Sequence, residues 1–381
     1  MVHAWSRYLE SSEPAAVASA ATNLATENDL VAVLVGERDA DGLDALVAAL
    51  GDTDVDFFGG VFPELLVGRQ RFSSGVLLLR LPGLGAPVVI RDLGRASADL
   101  GPVSALLANA GDQSPPTAFV LVDGLTPMIS RCLEAIYDIC GMRVRYWGGG
   151  AGVSSLAPGP CLFTRTGAFD HGAIVALSSL ASRLAVHHGW HELRGPLVAT
   201  RTEGNVIRQL NWRSALEVYR THVAEDLGID PAAAELWDHT RAYPLGIQRQ
   251  GAEVIVRDPV DWDASGGLVC VGDVPVNAVL SVLKGDPESL VAAAHAAARE
   301  AASQGSDPIR HCLIADCVSR VWFLEGRFQD EIDAIERGLG GGGERGALCG
   351  VLTLGEISSR GDQYLEFFNK TCVVAVLHER P

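Results

Sequence analysis

The chain has 381 residues, 48% of them hydrophobic and 20% charged, the composition of a packed globular protein with chain enough for about two to three domains. A mean hydropathy of +0.19, without any apolar run near the ~18 residues of a membrane span, excludes both a disordered chain and a helical transmembrane one. Thirty basic residues against 47 acidic ones leave a net charge of −17 with Lys284 and Lys370 as the only lysines, which argues against a surface that tracks nucleic-acid phosphates.

The opening MVHAWSRYLESSEP has no basic start followed by an apolar stretch, so no signal peptide is read there and the expected compartment is the cytoplasm. An Ala-rich helix is predicted over 13–26, a buried strand over 30–36, a second helix over 40–50 and a strand over 54–60 that ends in Gly59-Gly60. From 71 the runs RFSSGVLLLRL and APVVIRDLG flank the turn PGLG and read as an antiparallel hairpin. A strand at 117–124 feeds a helix at 127–140, with Ile129, Leu133, Ile136 and Ile139 at helical spacing, and RVRYW then runs into Gly148-Gly149-Gly150. The second half opens with the short strands LAVHHGWHEL, PLVATRTEG and NVIRQL, followed by a helix at 213–227. YPLGIQ, AEVIVRDPVDWD and GGLVCVG supply further strand and turn material, 287–304 is an Ala-rich helix, and IRHCLIADCVSRVWFLEG is a strand turning into a helix. The stretch GLGGGGERG at 338–346 reads as a flexible loop, since it matches neither phosphate-binding glycine pattern.

One layout occurs three times, at 57–81, 146–178 and 348–377: a strand ending in Gly, a short loop of small residues, and a second apolar strand or hairpin. Glycine at a strand end marks positive φ or close backbone approach, so the three turns are expected to converge on one cavity, with Glu64 and Glu356 beside free backbone amides. The predicted architecture is α/β (α+β): two similar halves, each a mixed β-sheet covered by helices, joined near 145–180, with the C-terminal half assembled from non-contiguous pieces.

Candidate chemistry follows from residue type. Glu356, after Leu354-Gly355, suits backbone N–H bonds or a ligand amine, and against this stands a turn-stabilising role. Arg320 suits bidentate capture of a carboxylate, or an ion pair with Asp316 or Glu325; Arg257 is similar but has Asp258 beside it. Cys317 is a nucleophile only if a neighbour lowers its pKa, and otherwise a small buried thiol. Of His187, His188 and His191, adjacent residues of a strand face opposite ways, so no metal site is read; His188, next to Gly189, is the candidate axial ligand of a non-covalent haem. No GxSxG elbow supports Ser-His-Asp catalysis. The eight cysteines, at 132, 140, 161, 270, 312, 317, 349 and 372, lack any CxxC pair and predict reduced, mostly buried thiols.

Several strings in order resemble the FIST family of sensory modules: GGVFPE (59–64) and SSG (73–75), then WGGGAG (147–152), VHHGW (186–190), YPLGI (243–247), VIVRD (254–258), DCVSR (316–320), LTLGEISS (352–359) and FFNKT (367–371). The first loop departs from the family pattern, with Phe62-Pro63 before Glu64 where many members carry Ser/Thr and Gly. The resemblance implies a FIST N-terminal-like domain at 15–178, a FIST C-terminal-like domain at 179–378, and ligand sensing in signal transduction. For the family, amino acids are proposed ligands, and haem with nitric oxide for one branch. The ligand-binding positions expected from the turns and strings together are Gly60, Glu64, Gly149, Gly150, His188, Arg257, Cys317, Arg320, Glu356 and Asn369. The function expected is a non-enzymatic sensor of a small polar ligand, an amino acid or carboxylate. The alternatives are a haem-based nitric oxide sensor and an enzyme using Glu356, Arg320 and Cys317. Because the family-like strings fill the chain, the expected partner is a separate signalling protein such as a histidine kinase or a cyclic-dinucleotide enzyme.

Overall fold

Three runs of apolar residues, Asp29–Gly36, Thr117–Asp123 and His311–Cys317, are buried along almost their whole length, as strands covered on both faces must be. Each is paired in parallel with a second strand, Asp56–Phe62, Arg145–Ala151 and Leu348–Thr353 respectively, reached through one or two helices. The computed structural model describes residues 5–93, 100–110, 115–229, 236, 239–249, 253–303, 309, 311–340, 348–359 and 364–379. Most of the glycine-rich stretch at 338–346 lies outside the described residues.

Around each parallel pair the same six-stranded mixed sheet is assembled. An antiparallel return strand lies on the outside of the first parallel strand: Val76–Pro82, Ala173–Ser178 or Cys372–His378. A further antiparallel strand lies beyond it: Ser6–Leu9, Val88–Ile90 or Ala181–His187. On the other side, each second parallel strand pairs with a hairpin that belongs to a different copy. Leu65–Val67 joins Leu348–Thr353, Leu162–Thr164 joins Asp56–Phe62, and Glu356–Ser359 joins Arg145–Ala151. The hairpins are therefore exchanged in a cycle, and the repeated layout at 57–81, 146–178 and 348–377 is the sequence trace of three related units within a mixed α/β architecture.

The runs on either side of PGLG do not form the expected hairpin. Val76–Pro82 is already bonded on both sides, by Ser6–Leu9 and Asp29–Gly36, so Val88–Ile90 crosses to the second unit and pairs with Ala173–Ser178. An eight-stranded antiparallel sheet, built from strands between His191 and Lys284, is inserted in the third unit before the helix Pro287–Ser303. That helix buries Leu290, Ala294, Ala297, Ala298 and Ala301, one small-residue face at helical spacing, and Gly338 at the end of the helix Phe328–Gly338 fits close against it: a Cβ at 338 would lie 2.5 Å from the His295 carbonyl. All eight cysteines are buried, and none is in a disulfide.

Candidate functional site

The second parallel strands of the three units meet one another directly. Gly150 N donates to Gly355 O (2.7 Å), Leu354 N to Gly150 O (2.9 Å), Gly152 N to Val61 O (2.8 Å) and Leu352 N to Glu64 O (2.8 Å). The glycine turns do converge, but they fill the space with their own backbone. A Cβ on Gly149 would lie 2.5 Å from Thr353 Cγ2, one on Gly150 2.8 Å from Gly124 Cα, and one on Gly60 3.2 Å from Ala151 Cβ. Gly60, Gly149 and Gly150 are packing glycines of this junction and do not line the cavity at the neighbouring strand ends. Glu64 is also away from it, half-buried against Arg71 (3.1 Å), with burial raising its pKa and Arg71 opposing.

That cavity, of about 340 Å³, opens at the carboxyl ends of Thr117–Asp123 and His311–Cys317. Its walls are the segment Gly124 to Ile129, the segment Cys317 to Ser319 with Trp322, Leu354, Asn369, Leu156, and a roof from the inserted sheet that includes Asp258, Val260, Asp273 and Asn205. Ends of parallel strands are where chain reversals leave a crevice, and here the insertion closes it. The lining is apolar over much of its area and carries two carboxylates, Asp258 and Asp273, with no cationic residue among the described lining residues. Burial raises the pKa of both; Lys370 opposes at Asp258 and Arg257 at Asp273.

Beneath the cavity lies a cluster of buried charge. Arg320, fully buried, donates to Glu331 from Nε (2.8 Å) and Nη2 (2.9 Å) and to the carbonyls of His188 (2.7 Å), Lys370 (3.1 Å) and Leu290 (3.0 Å). Asp316 Oδ1 lies 3.3 Å from its Nε. Burial works against the charge of Arg320, but Glu331 and Asp316 outweigh it and hold the guanidinium charged. Burial, then the neighbouring Glu331, pushes the Asp316 carboxyl well above its usual range. With all five N–H donors of the guanidinium committed, Arg320 does not capture a ligand carboxylate, contrary to the sequence expectation; of the two ion-pair partners named for it, Asp316 is present and the chelating carboxylate is Glu331. Asp316, Glu331 and Cys372 bring potential metal-ligating atoms within 4.8 Å of one another, and the guanidinium already occupies the cation's place between the two acids.

Arg257 donates through Nε to Asp273 O (2.9 Å) and through Nη1 to Val256 O and Phe367 O (3.0 Å each), so its buried guanidinium ties the inserted sheet to the strand Leu365–Phe368. Glu356, fully buried, accepts from Thr353 Oγ1 (2.7 Å), Thr371 N (3.0 Å) and Thr371 Oγ1 (2.5 Å). Burial lifts its pKa to about 7 against the pull of these bonds. Cys317 lies at the cavity wall and accepts from Ser319 Oγ (3.0 Å); burial, and then Glu356, push the thiol pKa far up, so it is a neutral thiol rather than a nucleophilic thiolate.

The turn Asn369-Lys370-Thr371 joins the two layers. Asn369 lines the cavity. Lys370 Nζ reaches Asp258 Oδ2 (3.1 Å), its carbonyl accepts from Arg320 and from Trp190 Nε1 (3.1 Å), and Thr371 holds Glu356. Of the ten expected positions, Cys317 and Asn369 are brought together at the cavity, Arg320 and Glu356 sit beneath it, and the glycines, Glu64, His188 and Arg257 do other work. Asp258, Asp273 and Trp322 were missed as site residues; the acids stand beside Arg257 and after GGLVCVG, in strings with no chemical signature of their own.

The model of the FIST N domain matches residues 4–213 and that of the FIST C domain residues 215–359. The chain belongs to the FIST family. FIST domains are signal-transduction sensor domains, so the role of the chain is sensory. No curated protein matches it. The FIST C match ends at Ser359, whereas the turn at 369–371 and the return strand Cys372–His378 complete the third sheet and the cavity. Haem, the alternative for which the sequence offers His188 beside Gly189 as axial ligand, does not fit there. His188 is buried, its Nδ1 accepts from Trp190 N (2.8 Å) and its Nε2 faces Glu253 Oε1 at 3.3 Å. The space beside Gly189 is filled by the start of the helix Pro287–Ser303, since a Cβ there would lie 2.5 Å from Ser289 O. Among the described residues, no helix of this FIST protein is long and apolar enough to cross a membrane.

Proposed function

We propose that the cavity takes a small ligand and that the turn at 369–371 converts its occupancy into a change in the buried charge cluster. The carrying observation is that one three-residue turn supplies a cavity-lining side chain, the cation paired with a cavity-lining carboxylate, and two of the hydrogen bonds on Glu356. A ligand that displaces or strengthens Asp258–Lys370 acts on a residue whose own carbonyl is held by Arg320, so the contact differs between bound and free states, as ligand-driven switching requires. Two acids and no cation in the described lining favour a neutral or cationic ligand over a free carboxylate. Such a sensor acts on a signalling partner, for which a histidine kinase or a cyclic-dinucleotide enzyme is the expected class.

A thermal-shift screen over amino acids, amines, amides and carboxylates tests this reading. A ligand at 100 times its Kd stabilises by about 2.7 kcal/mol, which raises the Tm of a chain of 381 residues by roughly 3 °C. Val260→Trp, which fills the cavity from the roof, should abolish the shift. A shift that survives Val260→Trp, or no shift with any class, sinks the proposal.

A further inference from the structure

Asn369 is 1% exposed, lines the cavity, and has no hydrogen-bond partner among the described residues at either Oδ1 or Nδ2. Buried amides without partners are costly and uncommon, so an orphaned carboxamide at a cavity wall calls for a partner that enters the cavity. The turn that carries it is anchored on its C-terminal side. Lys370 adopts φ +54, its ammonium and carbonyl are both bonded, and Thr371 is fixed to Glu356 by main chain and side chain. Asn369 therefore presents its donor and acceptor from a rigid support, the arrangement that favours recognition over mere solvation.

The chemistry of that edge limits what satisfies it. A carboxamide places one acceptor and one donor side by side in a plane. A carboxylate answers the donor but sets its charge against Oδ1 and, in this cavity, against Asp258 and Asp273; an ammonium answers Oδ1 and leaves Nδ2 unpaired; a ketone does the reverse. A group with an adjacent N–H and C=O, such as a primary amide, a lactam or a base edge of the same pattern, closes both bonds at once without bringing a charge into the cavity. The apolar body of such a ligand would pack against the lining formed by Trp322, Leu354 and Met128.

We propose that the ligand of this cavity carries an amide-type edge and that Asn369 reads it through a paired donor–acceptor contact. This rests on the sensor reading above and adds the ligand class to it. The test is ligand-observed NMR titration of the full chain with four probes on one scaffold, benzamide, benzoate, acetophenone and benzylamine, and with benzamidine as a fifth for the Asn369→Asp variant. Benzamide should bind at least about tenfold more tightly than the others, the loss expected when one or both of two buried bonds goes unmade. Asn369→Leu should remove that preference. Asn369→Asp replaces the donor by an acceptor and should move the preference from benzamide to benzamidine, a readout that a merely unfolded variant would not give. Benzoate, acetophenone or benzylamine binding as tightly as benzamide, or benzamide binding unchanged in Asn369→Leu, overturns the inference and leaves the sensor reading standing. Binding by none of the probes, together with a blank thermal-shift screen, overturns both.

Discussion

Glu356 shows how burial and hydrogen bonding compete on one side chain. Three bonds from Thr353 and Thr371 favour the carboxylate, yet full burial raises the pKa from 4.5 to about 7. Because the folded value lies above the unfolded one, the folded protein binds the extra proton between about pH 4.5 and 7. The stability tied to this proton is complete below pH 4.5 and is lost as pH rises through about 7. The shift corresponds to roughly 3 kcal/mol at most. Glu356→Gln, which keeps the shape and a carbonyl acceptor, should flatten this part of the pH dependence. Urea midpoints measured from pH 5 to 8 on both proteins check it, and identical slopes would count against the buried-acid account. The sequence singled out Glu356 through its strand-end glycine, but nothing in LTLGEISS shows that Thr353 and Thr371 would face it. Arg320 was legible as a functional cation in the same partial way: its strand-to-helix position was read correctly, but Glu331 arrives from a later helix.

Among the elements, the three parallel pairs obey one steric rule. Gly59 stands opposite Val33, Gly148 opposite Val120 and Gly350 opposite Ile314. A Cβ at these glycines would lie 2.1, 1.8 and 2.1 Å from the carbonyl oxygens of Val33, Val120 and Ile314. The obstacle is main chain within a fully paired sheet, so it does not move aside. Gly148→Ala should destabilise by about 2 kcal/mol or more, whereas Gly42→Ala, with nothing within 4 Å, should stay within roughly 0.5 kcal/mol. Chemical denaturation of the two variants side by side decides this, and equal stabilities would refute the steric reading. Here the sequence was informative in part: glycines in the three repeated stretches marked close backbone approach, and the structure places Gly59, Gly148 and Gly350 inside the strands and not at their ends. The hairpin drawn across PGLG was misplaced because local alternation says that a segment is a strand, not which edge is still open.

For the whole molecule, cyclic exchange of hairpins ties the two ends of the chain together. Without the segment after 213, Leu65–Val67 lacks Leu348–Thr353, Arg145–Ala151 lacks Glu356–Ser359, and Ala181–His187 lacks Cys372–His378. Unpaired edges of this kind carry unsatisfied backbone donors and acceptors beside apolar faces. Residues 4–213, the span matched by the FIST N domain, should therefore unfold without cooperativity when expressed alone and recover a cooperative transition when co-expressed with residues 214–381. Urea unfolding followed by circular dichroism gives the answer, and a cooperative, monomeric 4–213 fragment would show that the exchange is dispensable.

The sequence by itself determined the class of the elements, the mixed sheets, the buried thiols, the repeated turn and the family, because these depend on local periodicity, glycine placement and short ordered strings. Tertiary structure decided which strands share a sheet and what each polar residue meets. Hairpin exchange pairs segments hundreds of residues apart, as with Leu66 and Gly350. The cavity arises only when the inserted sheet is laid over the ends of strands from two units. Arg320 became a core cation and Asn369 an orphaned amide for one physical reason: a side chain's role is set by the partners that burial brings to it, and those partners come from distant parts of the chain.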